Sequence, residues 1–135
     1  MTERASLETV EQVLRRVLAG MRLRRIPKNP EHRNIVLAIL CLGLVRRHPY
    51  AEMELNDALR HELEKFNALV DHVTCRRYLV DLDFVKRDRA GHRYFVNFPK
   101  VESTLAEESL AGAGELPTRV INEIRQSPRG RHFVP

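Results

Sequence analysis

Residues 71–96 read DHVTCRRYLVDLDFVKRDRAGHRYFV, and within this stretch the spacing of the apolar side chains changes from helical to alternating. The first half predicts a helix over about residues 70–82, because apolar residues recur three and four positions apart. On a helical wheel, one side carries Cys75, Tyr78, Leu79 and Leu82, and the other carries Thr74, Arg77 and Asp81. Asp71 lies near the start of this helix.

The second half of the stretch contains two strand-like runs. Residues 84–87 and 93–96 are separated by a loop that contains Gly91. A glycine-containing loop between two β-prone runs is typical of a hairpin. We therefore predict a β-hairpin over about residues 84–97, beginning directly after the helix.

Three further helices are predicted ahead of this stretch. Their apolar spacing places them at residues 6–18, at residues 29–47 and at about residues 53–64. Ser6 and Asn29 have side chains typical of N-caps, and Pro30 suits the first helical position. Between the last two helices, Tyr50 and its neighbours are expected to form a short extended segment.

The pattern weakens beyond Pro99, which we expect to close the central part of the chain. A short helix is predicted over residues 103–110 and a final helix over residues 117–126. The AGAG sequence at 111–114 is expected to be a flexible break, and residues 129–135 to be a frayed basic tail.

Three helices followed by a two-stranded hairpin are the element order of a winged helix-turn-helix. The predicted fold class is α+β, mostly helical, with helical extensions at both ends. We divide the chain into an N-terminal helix and basic linker (1–28), a winged-helix domain (29–100) and a C-terminal helical extension and tail (101–135). A length of 135 residues suits one compact domain with such appendages.

Positive charge is gathered in two places along the chain, which carries a net charge of +5. Residues 84–100 contain five basic residues against Asp88 alone, a net charge of +4. By contrast, residues 51–83 contain four basic and eight acidic residues, a net charge of −4. The second basic run, ahead of the helix at Pro30, consists of Arg22, Arg24, Arg25 and Lys28. Such clustering is typical of a surface that contacts phosphates.

Short motifs spread over residues 26–98 resemble a small bacterial family, DUF2087, a domain of unknown function whose members resemble winged-helix regulators. The motifs are Arg25-Ile26-Pro27-Lys28, Tyr50 with Glu52, Glu54, Leu55 and Asn56, Arg76-Arg77, Leu79-Val80-Asp81, Phe84-Val85, Arg87 and Gly91. The sequence departs from the family pattern at Ala51, where a Ser or Thr cap is usual, and at Asp83, where a Gly is usual. The interval between Asn56 and Arg76 is also longer.

The leading hypothesis is a DNA-binding protein, with double-stranded DNA as its partner and transcriptional regulation as its role. The polar face of the helix at 70–82 is expected at the major groove, and the basic hairpin on the flanking phosphates. The groove residues are Thr74, Arg76 and Arg77, and the phosphate-contacting residues are Lys86, Arg87, Arg89 and Arg93.

These arginines also have a structural interpretation. Arg76 and Arg77 could pair with Asp81, Asp83 or Glu64 and so fix the helix packing. The hairpin arginines could serve only to keep an unpaired sheet edge soluble. Both interpretations stay open from the sequence.

A second function is a winged-helix module for protein–protein interaction, in which the Arg-rich surface meets an acidic partner. Three acidic residues on or beside the predicted recognition helix favour it, because acids repel phosphate. They are Asp71, Asp81 and Asp83.

No enzymatic, metal or cofactor site is predicted. His72 and Cys75 lie three positions apart, but a structural zinc site needs four ligands, so core packing is the better interpretation. No nucleophile or base cluster accompanies Asp81 and Asp83 as a catalytic pair. The sequence also lacks the GxSxG, HExxH, P-loop and dinucleotide-binding motifs.

A cytoplasmic protein without a membrane partner is expected. The longest apolar stretch, IVLAILCLGLV at residues 35–45, is shorter than the roughly 20 residues that cross a bilayer. The first residues do not form a signal peptide, and two cysteines do not make a disulfide framework.

The terminal helices raise the question of oligomeric state. Leu7, Val10, Leu14, Val17 and Leu18 form one apolar stripe that a winged-helix core does not need for its own closure. We predict a homodimer held by the terminal helices, since two-fold symmetry would present two recognition helices to two half-sites. The alternative is that both helices fold back on the core of the same chain.

Overall fold

The computed structural model describes residues 3–127. Within this part of the chain, the elements are α1 (Leu7–Val17), α2 (Pro30–Leu42), α3 (Glu52–Lys65), α4 (His72–Asp81), β1 (Val85–Arg87), β2 (Tyr94–Val96), α5 (Phe98–Thr104), α6 (Glu107–Gly112), a 3₁₀ turn (Ala113–Glu115) and α7 (Leu116–Gln126). The predicted fold class, a mostly helical α+β chain with a winged-helix arrangement, is confirmed. The tail predicted at 129–135 lies outside the described residues.

The winged-helix part consists of α2, α3, α4 and the hairpin of β1 and β2. The two strands pair antiparallel, with Val85 opposite Val96 and Arg87 opposite Tyr94. Tyr50 adds the predicted extended segment, because its backbone N–H donates to the Tyr94 carbonyl at 2.9 Å and the Tyr94 N–H donates back at 2.8 Å. The connection between α2 and α3 is thereby tied to the hairpin.

Side-chain N-caps explain where three helices begin, and two of them, Ser6 and Asn29, were predicted from the sequence. The side chains of Ser6, Asn29 and Asp71 each accept a hydrogen bond from the backbone N–H three residues further on, at 2.7–3.1 Å. A side-chain acceptor at this position satisfies one of the helix's unpaired first-turn donors.

The end of α2 differs from the prediction, because the helix stops at Leu42 and not near Arg47. Gly43 is its C-cap, and a Cβ at this position would overlap the buried carboxylate of Glu62. The Glu62 side chain of α3 thus fills the space beside Gly43, and glycine is a poor residue for continuing a helix. Further along, Arg47 has a φ of 65°, which is incompatible with an α-helix.

The region after the hairpin also corrects the prediction of one helix over 103–110 and a flexible AGAG break. Pro99 does not close the central part, because it lies in the first turn of α5, where proline is well tolerated. The helix is interrupted at the fully buried Leu105, whose extended backbone bridges to Ala5. The AGAG segment continues as the end of α6 and the 3₁₀ turn. These features depend on a partner a hundred residues away, which local patterns do not report.

The terminal helices fold back on the core of their own chain. Val10, Val13, Leu14 and Leu18 are at most 5% exposed and belong to one hydrophobic core with α2 and α7. Two ion pairs, Arg15 with Glu123 and Arg119 with Glu11, join α1 to α7, and each arginine also pairs with the acid on its own helix; we call this group of four residues the clasp. Because the stripe is covered within the chain, the dimer prediction loses the argument that motivated it and stays untested.

The core includes residues from all three of the segments into which the sequence was divided, so that division stays an interpretation of the sequence. Among residues 3–127, no helix combines the length and the apolar character needed to span a bilayer.

Candidate nucleic-acid interface

α4 presents one buried and one exposed face. Cys75 and Leu79 are fully buried, whereas Thr74 and Arg77 are exposed, as the helical wheel predicted. Tyr78 was expected on the apolar side, but the structure leaves it 37% exposed. It lies at the edge of the stripe, where its ring can pack while the hydroxyl keeps its contact with water.

The start of α4 is fixed by its N-cap. The Asp71 carboxylate accepts a hydrogen bond from the Thr74 N–H at 2.7 Å. This backbone hydrogen bond is the main reason that the pKa of Asp71 is lower than its usual value. An acid that argued against DNA at the sequence level thus has a structural role at the helix end.

Arg76 is not an open side chain of the recognition helix. Its Nη1 donates to Asn56 Oδ1 at 2.6 Å, its Nη2 lies 3.7 Å from Glu52 Oε1, and its side chain is 20% exposed. Arg76 therefore has partners within the protein, as the structural interpretation expected, but they are Asn56 and Glu52 on α3 and not Asp81, Asp83 or Glu64. Its guanidinium ties α3 to α4.

The turn between α4 and β1 uses one of the two positions at which the sequence departs from the family pattern. Asp83 has a φ of 65°, in the left-handed region that favours glycine. Its carbonyl accepts a hydrogen bond from Asn97 Nδ2 at 2.7 Å, and the Asn97 N–H donates to the Phe84 carbonyl at 2.8 Å. Asn97 therefore fixes the angle at which the hairpin leaves the helix.

The other departure lies at the start of α3. Ala51 is the N-cap and has no side-chain acceptor to offer. Only the reciprocal half of a capping box remains, in which Glu54 Oε1 accepts from the Ala51 N–H at 3.3 Å. His48 also bonds to Glu54, at 2.7 Å, and this contact is the main reason that the pKa of Glu54 is lowered.

The hairpin, residues 84–97, is called the wing from here on. At its tip, Gly91 has a φ of 73° and the Asp88 carboxylate accepts from the His92 N–H at 2.8 Å. Partial burial acts to raise the pKa of Asp88, but hydrogen bonds from the His92, Arg93 and Gly91 backbone lower it overall. The only acid of the wing is therefore engaged in forming its turn.

The cations of the wing project outward. Lys86, Arg87, Arg89 and Arg93 are exposed, and none of them makes an ion pair with a carboxylate within residues 3–127. Arg87 has a second role, because its guanidinium lies 5.2 Å from the centre of the Tyr94 ring and donates to the Gly91 carbonyl at 3.2 Å. Arg77 and Arg87 line one open cleft between α4 and the wing.

The basic linker, residues 22–28, lies at the other end of α4. The Leu23 N–H donates to the Phe66 carbonyl at 3.1 Å, and the Leu69 N–H donates to the Leu23 carbonyl at 2.9 Å. Asn67 Nδ2 adds a bond to the Met21 carbonyl at 3.0 Å. The basic run was visible in the sequence, but its attachment to the α3–α4 turn was not, because no local signal pairs segments more than 40 residues apart.

His72 and Cys75, the two residues considered as metal ligands, are not part of a larger set of ligands in the part of the chain that the structure describes. Burial raises the pKa of the Cys75 thiol to about 12, and the His72 ring approaches Arg60 at 3.3 Å. No group of three or more His, Cys, Asp or Glu side chains among residues 3–127 could hold a metal ion. Cys75 is therefore a core residue in this structure.

Among comparisons with known proteins, one family model matches the central part of the chain. A family model described as an uncharacterized protein conserved in bacteria (DUF2087) matches residues 22–96. The match begins at the basic linker and ends with the second strand of the wing. No curated protein and no solved structure matches the chain.

Proposed function

The chain belongs to DUF2087, a family of uncharacterised bacterial proteins, and from the arrangement of α4 and the wing we propose that it binds double-stranded DNA as a non-enzymatic winged-helix protein. In this proposal α4 lies in the major groove, with Thr74 and Arg77 directed at base edges. The wing lies on the flanking backbone, with Lys86, Arg87, Arg89 and Arg93 on phosphates.

One observation carries the proposal: the four wing cations follow directly after α4, and no carboxylate within residues 3–127 pairs with them. Cations without an internal carboxylate gain most from an external anion, and a group of basic side chains, most of them Arg, matches phosphate oxygens. Binding would release the counterions condensed on the DNA, which makes such an interface favourable at low salt.

One of the acids beside α4 has a structural role that lessens its weight against DNA, because Asp71 caps the helix through Thr74. Asp81 and Asp83 are exposed and are the acids that a bound phosphate would have to avoid. Because Arg76 already bridges α3 and α4, base contact is assigned to Thr74 and Arg77, with Arg76 holding α4 in place.

Transcriptional regulation is the biological role that this interface suits best. A small protein with one recognition helix and one wing has the parts needed to occupy an operator. The same proposal places the protein in the cytoplasm, where bacterial DNA lies.

The test is a salt titration of binding to a random-sequence duplex, followed by fluorescence anisotropy. Wild type is expected to bind with a steep negative slope of log affinity against log salt. The variant Lys86→Gln/Arg89→Gln/Arg93→Gln should flatten that slope by about 0.9 for each phosphate that the protein no longer neutralises. Arg87 is left intact because its contacts with Tyr94 and Gly91 support the wing.

The matched control removes three exposed arginines from a surface distant from the wing in the sequence. Arg15→Gln/Arg119→Gln/Arg125→Gln lowers the net charge by the same three units but takes its residues from α1 and α7. The control should bind with the wild-type slope. Equal slopes for wild type and the wing variant, or no binding by wild type, would contradict the proposal.

The second candidate is a module that binds an acidic protein partner. Large apolar side chains are exposed near α4, with Leu69 at 59% and Val73 at 41%, and apolar groups beside unpaired cations suit a protein interface. This candidate is supported if wild type does not bind DNA but binds an acidic protein, and the wing variant loses that binding.

A further inference from the structure

We propose that the basic linker is a second backbone-binding element, which contacts the DNA strand on the far side of the groove from the wing. The inference rests on the proposed function, because it names how α4 is oriented on DNA. It assigns the linker a phosphate diester as its ligand.

The linker has the charge that such a contact needs. Residues 21–28 contain Arg22, Arg24, Arg25 and Lys28 and no acidic residue. None of the four makes an ion pair with a carboxylate of the described chain, residues 3–127. At the end of α1, Arg16 joins three of them around one open hollow that no carboxylate lines. A cluster of unpaired guanidinium groups is suited to phosphate oxygens.

The linker is also held in place and does not trail from the domain. Backbone hydrogen bonds from Leu23 to Phe66 and from Leu69 to Leu23 attach it to the turn between α3 and α4. Leu23 itself is 1% exposed and anchors the segment in the core. A fixed segment loses less conformational entropy on binding than a free arm does.

The basic linker and the wing lie at opposite ends of α4, and this placement defines how α4 would be oriented on DNA. The linker contacts the turn that leads into the N-terminus of α4, and the wing starts two residues after its C-cap at Leu82. A ten-residue helix is about 15 Å long, and the major groove is about 12 Å wide. Positive segments at both ends of α4 can therefore reach the two backbones that border one groove.

The charge of α3 fits the same arrangement. Residues 52–65, which form α3, have two basic and five acidic residues, whereas α4 itself carries Arg76 and Arg77 against Asp81. Phosphates would be attracted to the basic segments at the two ends of α4 and repelled from α3. This pattern favours two separate backbone contacts over one continuous basic surface.

The experiment compares the full-length variant Arg22→Gln/Arg24→Gln/Arg25→Gln with wild type and with the wing variant described above. The linker variant should flatten the salt slope by about 0.9 for each phosphate left without its cation, and combining it with the wing variant should give the sum of the two changes. Thermal unfolding of each variant shows whether the fold is kept, and the α1–α7 control variant corrects for net charge.

The outcomes separate this inference from the proposed function. If wild type shows no salt-dependent binding, the proposed function fails and the inference fails with it. If the wing variant flattens the slope while the linker variant matches wild type, only the inference is overturned. The inference is also overturned if wild type binds inorganic phosphate saturably and the linker variant loses that binding but keeps the wild-type salt slope for DNA. The hollow would then be a site for a small anion and not for the DNA backbone.

Discussion

The clasp between α1 and α7 and the wing after α4 are both rich in arginine, yet they use it in opposite ways. In the clasp, Arg119 contacts Glu11 at 2.7 Å and Glu123 at 3.5 Å, and Arg15 pairs with the same two acids. In the wing, four cations share one acid, and that acid, Asp88, is engaged by backbone N–H groups of the hairpin turn.

The difference separates arginines that join elements of the fold from arginines whose charge is left unmatched. Composition does not distinguish the two classes, since each residue is an exposed basic side chain on a polar surface. Only the positions of the neighbouring carboxylates distinguish the two classes. A net charge of +5 therefore understates the positive field, because the neutralised pairs lie on one part of the molecule and the unmatched cations on another.

Arg76 and Arg77 test this distinction within one helix, and Arg76 should give the largest effect on stability. Arg76→Ala should lower the free energy of unfolding by about 1.5–3 kcal/mol, because it removes a charged hydrogen bond and leaves Asn56 Oδ1 without its donor. Arg77→Ala should change stability by less than about 0.5 kcal/mol, because the residue is exposed. Urea denaturation measures both changes. DNA affinity should fall for Arg77→Ala while the protein stays fully folded, and the reverse order of either effect would remove the distinction.

Asp83 provides the next test, in which an acidic residue near the wing is replaced. Asp83→Gly should raise the free energy of unfolding by about 0.5–1 kcal/mol, because a left-handed residue is relieved of its Cβ. Asp83→Asn is the matched control, since it removes the same charge but keeps a side chain of similar shape. Both variants should tighten binding to duplex DNA, and only the glycine variant should raise the melting temperature. A glycine variant that is less stable than wild type would contradict the strain at this turn.

The clasp itself should give the smallest effect. Arg15→Gln/Arg119→Gln is expected to lower the free energy of unfolding by less than about 1 kcal/mol, because exposed ion pairs are weak. The loss should shrink as salt is raised to about 1 M, where such pairs are screened. Chemical denaturation with urea at two salt concentrations provides the measurement. A loss that does not depend on salt would mean that these side chains act through packing.

Local patterns were sufficient to predict the winged-helix part of the fold. The change of spacing after Leu82 placed the hairpin, and the side chains of Ser6 and Asn29 placed two helix starts. These signals work because a cap or a change of period is contained within a few residues.

Features that depend on distant partners were not predictable in the same way. The break at Leu105 involves the bridge to Ala5, the space beside Gly43 at the end of α2 is filled by the Glu62 carboxylate, and the position of Arg76 is fixed by Asn56. In the candidate interface, the wing cations could be found from the sequence, whereas the place of the linker beside α4 could not. Each of these failures involves a contact between distant parts of the sequence that only the folded chain brings together.

The bridge between Ala5 and Leu105 affects the order in which the helices become buried while the chain is synthesised. The Ser109 hydroxyl donates to the Ala5 carbonyl at 2.8 Å across 104 residues, and the clasp joins Arg15 to Glu123 across 108. During synthesis, α1 emerges before the other described helices and its partner α7 after them, so the apolar stripe is covered only in part until α7 has been made. Closing so long a loop is slow, and the winged-helix part can form before it. Of the described helices, α1 is therefore made before the others but is among the last to be fully buried.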